Sequence, residues 1–289
     1  MRLFNLFVYF IVVMLYAGDL WAHGTKGKRF FPASLAVDDP FPSDELTLLA
    51  PSYSKGHDDK ELSFGFGIQR RISLNTALSI EGEYLSINPN EGPNEKRFAN
   101  PEITLTYAMF RSPEHEFIAS TALGFKPGIT TDEGTDDQSI HTAFLFGKGL
   151  GDLPDRLSYF RPFAFTGSIG LAMPIGERNP SVNNGDTGML EYGLVMEYSI
   201  PYLQSFVKDI GIPRPFRKMF PIIEITYQHP IGGQDAEKGT GSFNPGIIWA
   251  GKYVELGIEA KIPLNDEAAD GVGVAGLIHL FLDDILERR

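Results

Sequence analysis

Beyond residue 44, apolar and polar side chains alternate along most of the chain, in short runs separated by polar stretches rich in Gly, Asn, Pro and Asp. The clearest run is 252–263. There Val254, Leu256, Ile258, Ala260 and Ile262 share one side of an extended chain, and Tyr253, Glu255, Gly257, Glu259 and Lys261 share the other. Successive side chains of a strand point to opposite faces, so this segment reads as a strand with one apolar and one polar surface. Its length, about eleven residues, is what a tilted strand needs to cross a bilayer.

The same reading predicts twelve strands, at 45–54, 61–70, 74–84, 102–109, 117–126, 139–148, 158–173, 190–199, 220–229, 242–250, 252–263 and 271–282. The stretch 201–218 breaks the pattern and predicts a short helix at 204–210, ended by Pro213 and Pro215. An even strand count puts both ends of a single-chain bacterial barrel on the periplasmic side. The turns near Arg71, Ser112 and Gly251 are then periplasmic. The loops at 87–98, 130–138, 176–187, 232–241 and 265–270 are extracellular. Unpaired strand edges are not tolerated in hydrocarbon, so a spanning sheet has to close on itself. The expected fold is all-β: a single transmembrane antiparallel β-barrel of about 12 strands over residues 45–289, with a short periplasmic helix-bearing connection. A soluble β-sandwich or lipocalin-like barrel is the competing fold, and it would need apolar residues inward and polar ones outward. Tyr84, Phe125 and Tyr227 are expected at the outer membrane interface, and Phe117, Tyr198 and Trp249 at the inner one.

Composition narrows the picture. Hydrophobic residues make up 43% of the 289 residues, which disfavours a helical membrane protein. Cysteine is absent, so disulfides and thiolate metal sites are excluded. The net charge of −12, with no basic stripe, argues against nucleic acid as a partner. Arg2 followed by the apolar run 3–17 and a small residue at Ala22 reads as a signal peptide over 1–22. Residues 23–44 are proline-rich and read as an N-terminal periplasmic segment packed against or into the lower end of the barrel, with Phe30, Phe31 and Phe41 as its anchors.

The alternation also defines the lumen. Glu81, Glu83, Glu102, Glu191, Glu197, Glu224, Glu255 and Glu259 point inward, with Lys126, Lys148, Lys261, Gln69, Gln228 and Arg70. Charges in such a space are paired, hydrated or both. Two readings stand side by side. In one, the carboxylates line a narrow, cation-favouring, water-filled path. In the other, ion pairs fill the barrel and block flow. An outer-membrane enzyme acting on lipid or peptide is the alternative class, with His57, His115, His141, His229 and His279 as the residues to weigh, but no spacing makes a catalytic signature. His23, the new N-terminus after cleavage, could chelate copper through its amine and ring, and the acidic loops could bind divalent cations weakly. No phosphate loop, nucleotide fingerprint or zinc spacing is present, so no cofactor is expected.

The strand pattern, the segment F-F-P-A-S-L-A-V-D-D-P-F and the terminal G-V-G-V-A-G-L-I-H-L-F-L-D-D-I-L resemble a family of proteobacterial outer-membrane barrels. These are the transporter-like proteins grouped with the outer-membrane component of meta-pathway phenol degradation. The resemblance implies passage of small molecules and supplies no binding residues. The partners expected are outer-membrane lipid, the barrel-assembly machinery and a small solute, and the expected protein is a monomer.

Overall fold

A computed structural model describes residues 25–57, 59–129, 138–175, 188–232 and 239–286. The signal segment 1–22, His23, and the acidic loop residues within 130–137, 176–187 and 233–238 lie outside the described residues.

A small hairpin comes first, β1 (Thr25–Lys26) and β2 (Arg29–Phe30). Gly27 turns it at a φ of 62°, and a Cβ there would collide with the Pro113 carbonyl oxygen. That position needs glycine on both counts. The barrel then runs through β3 (Glu45–Lys55), β4 (Asp59–Ser73), β5 (Thr76–Pro89), β7 (Glu102–Ser112), β8 (Phe117–Lys126), β9 (Gln138–Gly149), β10 (Phe163–Ile175), β11 (Met189–Tyr198), β12 (Met219–Pro230), β13 (Thr240–Ala250), β14 (Val254–Pro263) and β15 (Gly273–Phe281). A short strand, β6 (Glu95–Phe98), extends the β5 edge at the outer end and sets Phe98 edge-to-face with Tyr84, ring centroids 5.1 Å apart.

Every strand from β7 to β15 pairs antiparallel with the next. β15 pairs with β3, β3 with β4, β4 with β5, and β5 with β7, which closes a ring of twelve. The expected fold class is the observed one. The short turns gather at one end with the N-terminal hairpin and the C-terminal helix Leu282–Leu286.

The outer wall is apolar. Ile80, Leu105, Tyr107, Leu123, Phe144, Ile169, Leu194 and Ile258 are all exposed there. A belt of this breadth around a closed barrel is stable in hydrocarbon and would aggregate in water. Inward positions of the same strands are small, polar or charged, as with Thr104, Thr106 and Ala108 of β7.

Four expectations shift. The predicted strand 158–173 starts only at Phe163. Residues Asp155–Phe160 form a 3₁₀ turn, because the Arg161 guanidinium folds back onto the Leu153 carbonyl at 2.6 Å and Asp155 at 2.8 Å. The helix predicted at 204–210 sits earlier, at Ile200–Tyr202, and continues as a wider turn over Leu203–Val207. Ser199 starts it by accepting the Tyr202 N–H at 3.1 Å. Trp249 is not part of an exposed inner girdle: it is only 5% exposed, with the Lys218 ammonium 5.8 Å from its ring. The connection between β11 and β12 folds back over it. The fourth difference is β6, which lies within the predicted loop 87–98.

Candidate functional site

The N-terminal segment enters the barrel from the end that carries the short turns. Arg29 is fully buried and holds the entrance. Its Nε donates to Glu116 Oε2 at 3.1 Å and its Nη1 to the Pro162 carbonyl at 2.8 Å; Nη2 donates to the Arg161 carbonyl. Its guanidinium also lies 4.1 Å from the Tyr202 ring centroid. Glu116 sits at a φ of 47°, in the left-handed region, which costs roughly 1–2 kcal/mol for an ordinary residue. The Gly151 N–H at 3.1 Å helps fix the same carboxylate.

From there the segment touches opposite walls. Phe31 and Phe41 stack at 5.1 Å and pack on Ala108, Ile118 and Ala164. Phe30, Leu35 and Val37 pack on Val195, Phe220, Ile222, Ile248 and Ala250. Inward glycines make room: a Cβ on Gly193 would stand 2.6 Å from Val37 Cγ1, and one on Gly257 would stand 3.0 Å from Leu35 Cδ1.

Two strand carboxylates hold the backbone of this plug. Glu224 accepts the N–H of Leu35 and of Ala36, each at 2.8 Å. Glu255 accepts the N–H of Ala33 at 3.1 Å. An irregular segment has no ladder to satisfy its amides, and buried amides require partners. On the opposite side Ser120 donates to the Pro40 carbonyl at 2.6 Å, and Gln69 reaches Phe41 O, Ser43 Oγ and Glu45 Oε1 at 2.7–3.0 Å.

Ten of the twelve charged residues expected in the lumen therefore fall into two groups. Glu197, Glu224, Glu255 and Glu259 are buried around the plug. Asn244 donates to Glu259 at 3.3 Å. Above the plug a cavity of about 500 Å³ remains, with Ala33–Asp39 as its floor and Glu81, Glu83, Glu102, Glu191 and Lys126 on its walls. Lys261 is not among its lining residues and donates to Ser52 at 3.1 Å. The lining carries seven carboxylates (Asp38, Asp39, Glu45, Glu81, Glu83, Glu102 and Glu191) against one lysine, Lys126. His141 bridges the wall between β7 and β11, with Nδ1 3.0 Å from Glu102 and Nε2 3.4 Å from Glu191.

The other histidines scatter. His279 is buried beside Glu45 at 3.2 Å and Thr47 at 3.3 Å. His57 meets Asp270 and the Asp266 carbonyl at the outer end, and His115 meets Asp152 at 3.3 Å at the inner end. His229 has the parity of Ile225 and Tyr227 and faces outward. Among the described residues, no group of three His, Cys, Asp or Glu side chains is placed to hold a metal ion.

Two inward assignments are corrected. Lys148 has the parity of Phe144 and Phe146, and its ammonium binds the Gly149 carbonyl at 2.6 Å and Asp152 at 3.1 Å on the rim. Arg70 has the parity of Ile68 and pairs outside with Asp44 at 3.1 Å. Both lie where strands meet turns, and there long cationic side chains reach water without entering the lumen. Asn244 and His279 were missed as lumen groups. Parity alone could have placed both, since each alternates with outward apolar neighbours.

Rim electrostatics are simple at Asp152. Burial pushes its carboxyl up, but the hydrogen bond and charge of Lys148, together with a hydrogen bond from His115, outweigh that and hold it below its ordinary 3.8.

No protein-family model matches the chain, and no curated protein matches it in sequence. Solved structures do. The COG4313 outer membrane channel from Pseudomonas putida F1 superposes with a TM-score of 0.63 at 8% identity, over 84% of this chain and 97% of that one. The NanC porin superposes with a TM-score of 0.51 at 9% identity, over 83% of this chain and 99% of that one. At these identities the likeness is one of architecture: this chain has the fold of outer-membrane channel barrels.

Proposed function

We propose that the chain is an outer-membrane barrel for the passage of a small solute, with its carboxylate-rich upper lumen as the binding site and residues 29–44 as a gate on the periplasmic side. The observation that carries this reading is the cavity of about 500 Å³ resting on a bonded floor. A packed structural barrel would leave no such space, since protein interiors contain few voids larger than a water molecule. The excess of carboxylates over Lys126 favours cations or solutes with several hydrogen-bond donors. Glu102, His141 and Glu191 form its most connected wall.

The proposed passage of small molecules agrees with the resemblance to the transporter-like barrels grouped with meta-pathway phenol degradation. The two fold relatives, a channel and a porin, lend support at the level of architecture. The test is conductance of the refolded chain in planar bilayers under a salt gradient. A cation-selective current that grows when the plug is loosened is the expected result. A barrel that stays silent in wild type and in every loosened-plug variant would overturn the reading.

A further inference from the structure

A second cavity, of about 290 Å³, lies between the N-terminal hairpin and the connection that joins β11 to β12. Four cations line it: Lys28 from the hairpin, and Arg214, Arg217 and Lys218 from the connection. Ser199 and Ser205 add hydroxyls, and among the described residues no carboxylate lines it. That composition is unusual in a chain of net charge −12. The one acid of the connection, Asp209, turns its Oδ1 to the Gly211 N–H at 2.9 Å.

Lysine and arginine converging with hydroxyls are the donor set that recognises phosphate oxygens. The surroundings are membrane-like on one side. Phe206, Ile210 and Phe216 of the same connection are exposed, and Lys28 lies 5.4 Å from the Phe206 ring centroid. Aromatic rings beside cations are what the headgroup layer favours.

We propose that this cavity binds a phosphate group, carried either by an anionic phospholipid of the inner leaflet or by a soluble phosphate compound. Lys28 of the hairpin and Arg217 of the connection both line it. The proposal stands whether or not the barrel conducts.

The test uses the full chain, folded and heat-modifiable on a gel, with K28A/R217A as the variant. Lys208, exposed on the same connection but outside the lining, gives the control K208A. Each protein is refolded into phosphatidylcholine vesicles doped with phosphatidylglycerol, extracted mildly and weighed by native mass spectrometry. In a second arm, inorganic phosphate is titrated onto detergent-solubilised protein and its ³¹P line width is followed. Wild type and K208A are expected to retain phosphatidylglycerol over phosphatidylcholine, whose choline cation cancels the attraction. K28A/R217A is expected to lose that preference by roughly tenfold, the effect of losing about 1.4 kcal/mol of charge-assisted contact. Phosphate broadening that K28A/R217A abolishes, without lipid enrichment, supports the site and identifies a soluble phosphate as its source. Wild type and K28A/R217A behaving alike in both arms would overturn the proposal.

Discussion

Arg29 and Glu116, 87 residues apart in sequence, meet at 3.1 Å with the Arg29 side chain fully buried. Removing one partner of a buried pair leaves the other charge uncompensated, at a cost of about 3–5 kcal/mol. Arg29→Ala is therefore expected to release the plug while the barrel still folds. Trypsin cleavage within 26–44 of the folded protein should speed up, and bilayer conductance should rise. Arg29→Lys is expected to rescue only in part, since one ammonium cannot serve Glu116 and two carbonyls with a planar fork. Full rescue by lysine would count against the pair as the anchor.

Glu224 is expected to behave differently from its neighbours on the wall. Glu224→Ala strips the part-buried N–H groups of Leu35 and Ala36 of their acceptor, and an orphaned donor costs about 1–3 kcal/mol when buried, less where water reaches it as at Ala36. Hydrogen exchange at Leu35 and Ala36 should accelerate by at least tenfold. Glu224→Gln keeps one acceptor oxygen and should fall between. Unchanged exchange in Glu224→Ala would mean that the plug does not depend on this contact.

Selectivity should follow the upper group of carboxylates. Glu102→Gln and Glu191→Gln face the cavity and are expected to shift the reversal potential toward neutrality in a salt gradient. Glu255→Gln and Glu259→Gln change buried groups beside the floor, so their expected effect is on plug stability. If the buried pair alters selectivity and the upper pair does not, the path runs through the plug's own contacts.

Shape can be tested without touching charge. Gly193→Val adds bulk where even a Cβ would stand 2.6 Å from Val37. The plug is expected to be displaced and the twelve-stranded ring retained, read as raised conductance with unchanged heat-modifiability. Overpacking of this kind costs roughly 1–3 kcal/mol.

Acid should weaken the inner rim. The Asp152 carboxyl is held below 3.8 in the folded protein, so its contribution is present above that value and lost as pH falls through the folded pKa. The group is more than a third exposed, so the contribution is small, about 0–1 kcal/mol. Asp152→Asn should lower the thermal midpoint slightly at pH 7 and match wild type once the pH has fallen below the folded pKa of Asp152. An equal deficit at both pH values would mean that the asparagine disturbs packing.

The strands were readable because lipid imposes one rule on every outward position. Leu105 and Tyr107 must be apolar while Thr104 and Thr106 need not be, and that contrast survives in one sequence. The rule fails at strand ends, where Arg70 and Lys148 keep strand parity yet belong to the rim. It also fails at 158–162, where Arg161 side-chain bonds override extended backbone. The plug carried a weaker signal, in the aromatic anchors at 30, 31 and 41. Its partners could not be read, because Glu224 binds backbone amides nearly 190 residues away, and amides have no sequence identity. Alternation placed the glutamates on the wall, but which of them face water depends on where the plug stops.

Phe30 lies 6.0 Å from Phe281 of the last strand, and β3 finds its second neighbour only in β15. The plug's contacts extend from Gln69 to Phe281, so its seat does not exist until the ring has shut. Contacts this distant in sequence form slowly, because chain closure comes before any reward. The segment that precedes the barrel in sequence is thus the last to settle, and a barrel stalled short of closure stays without its floor.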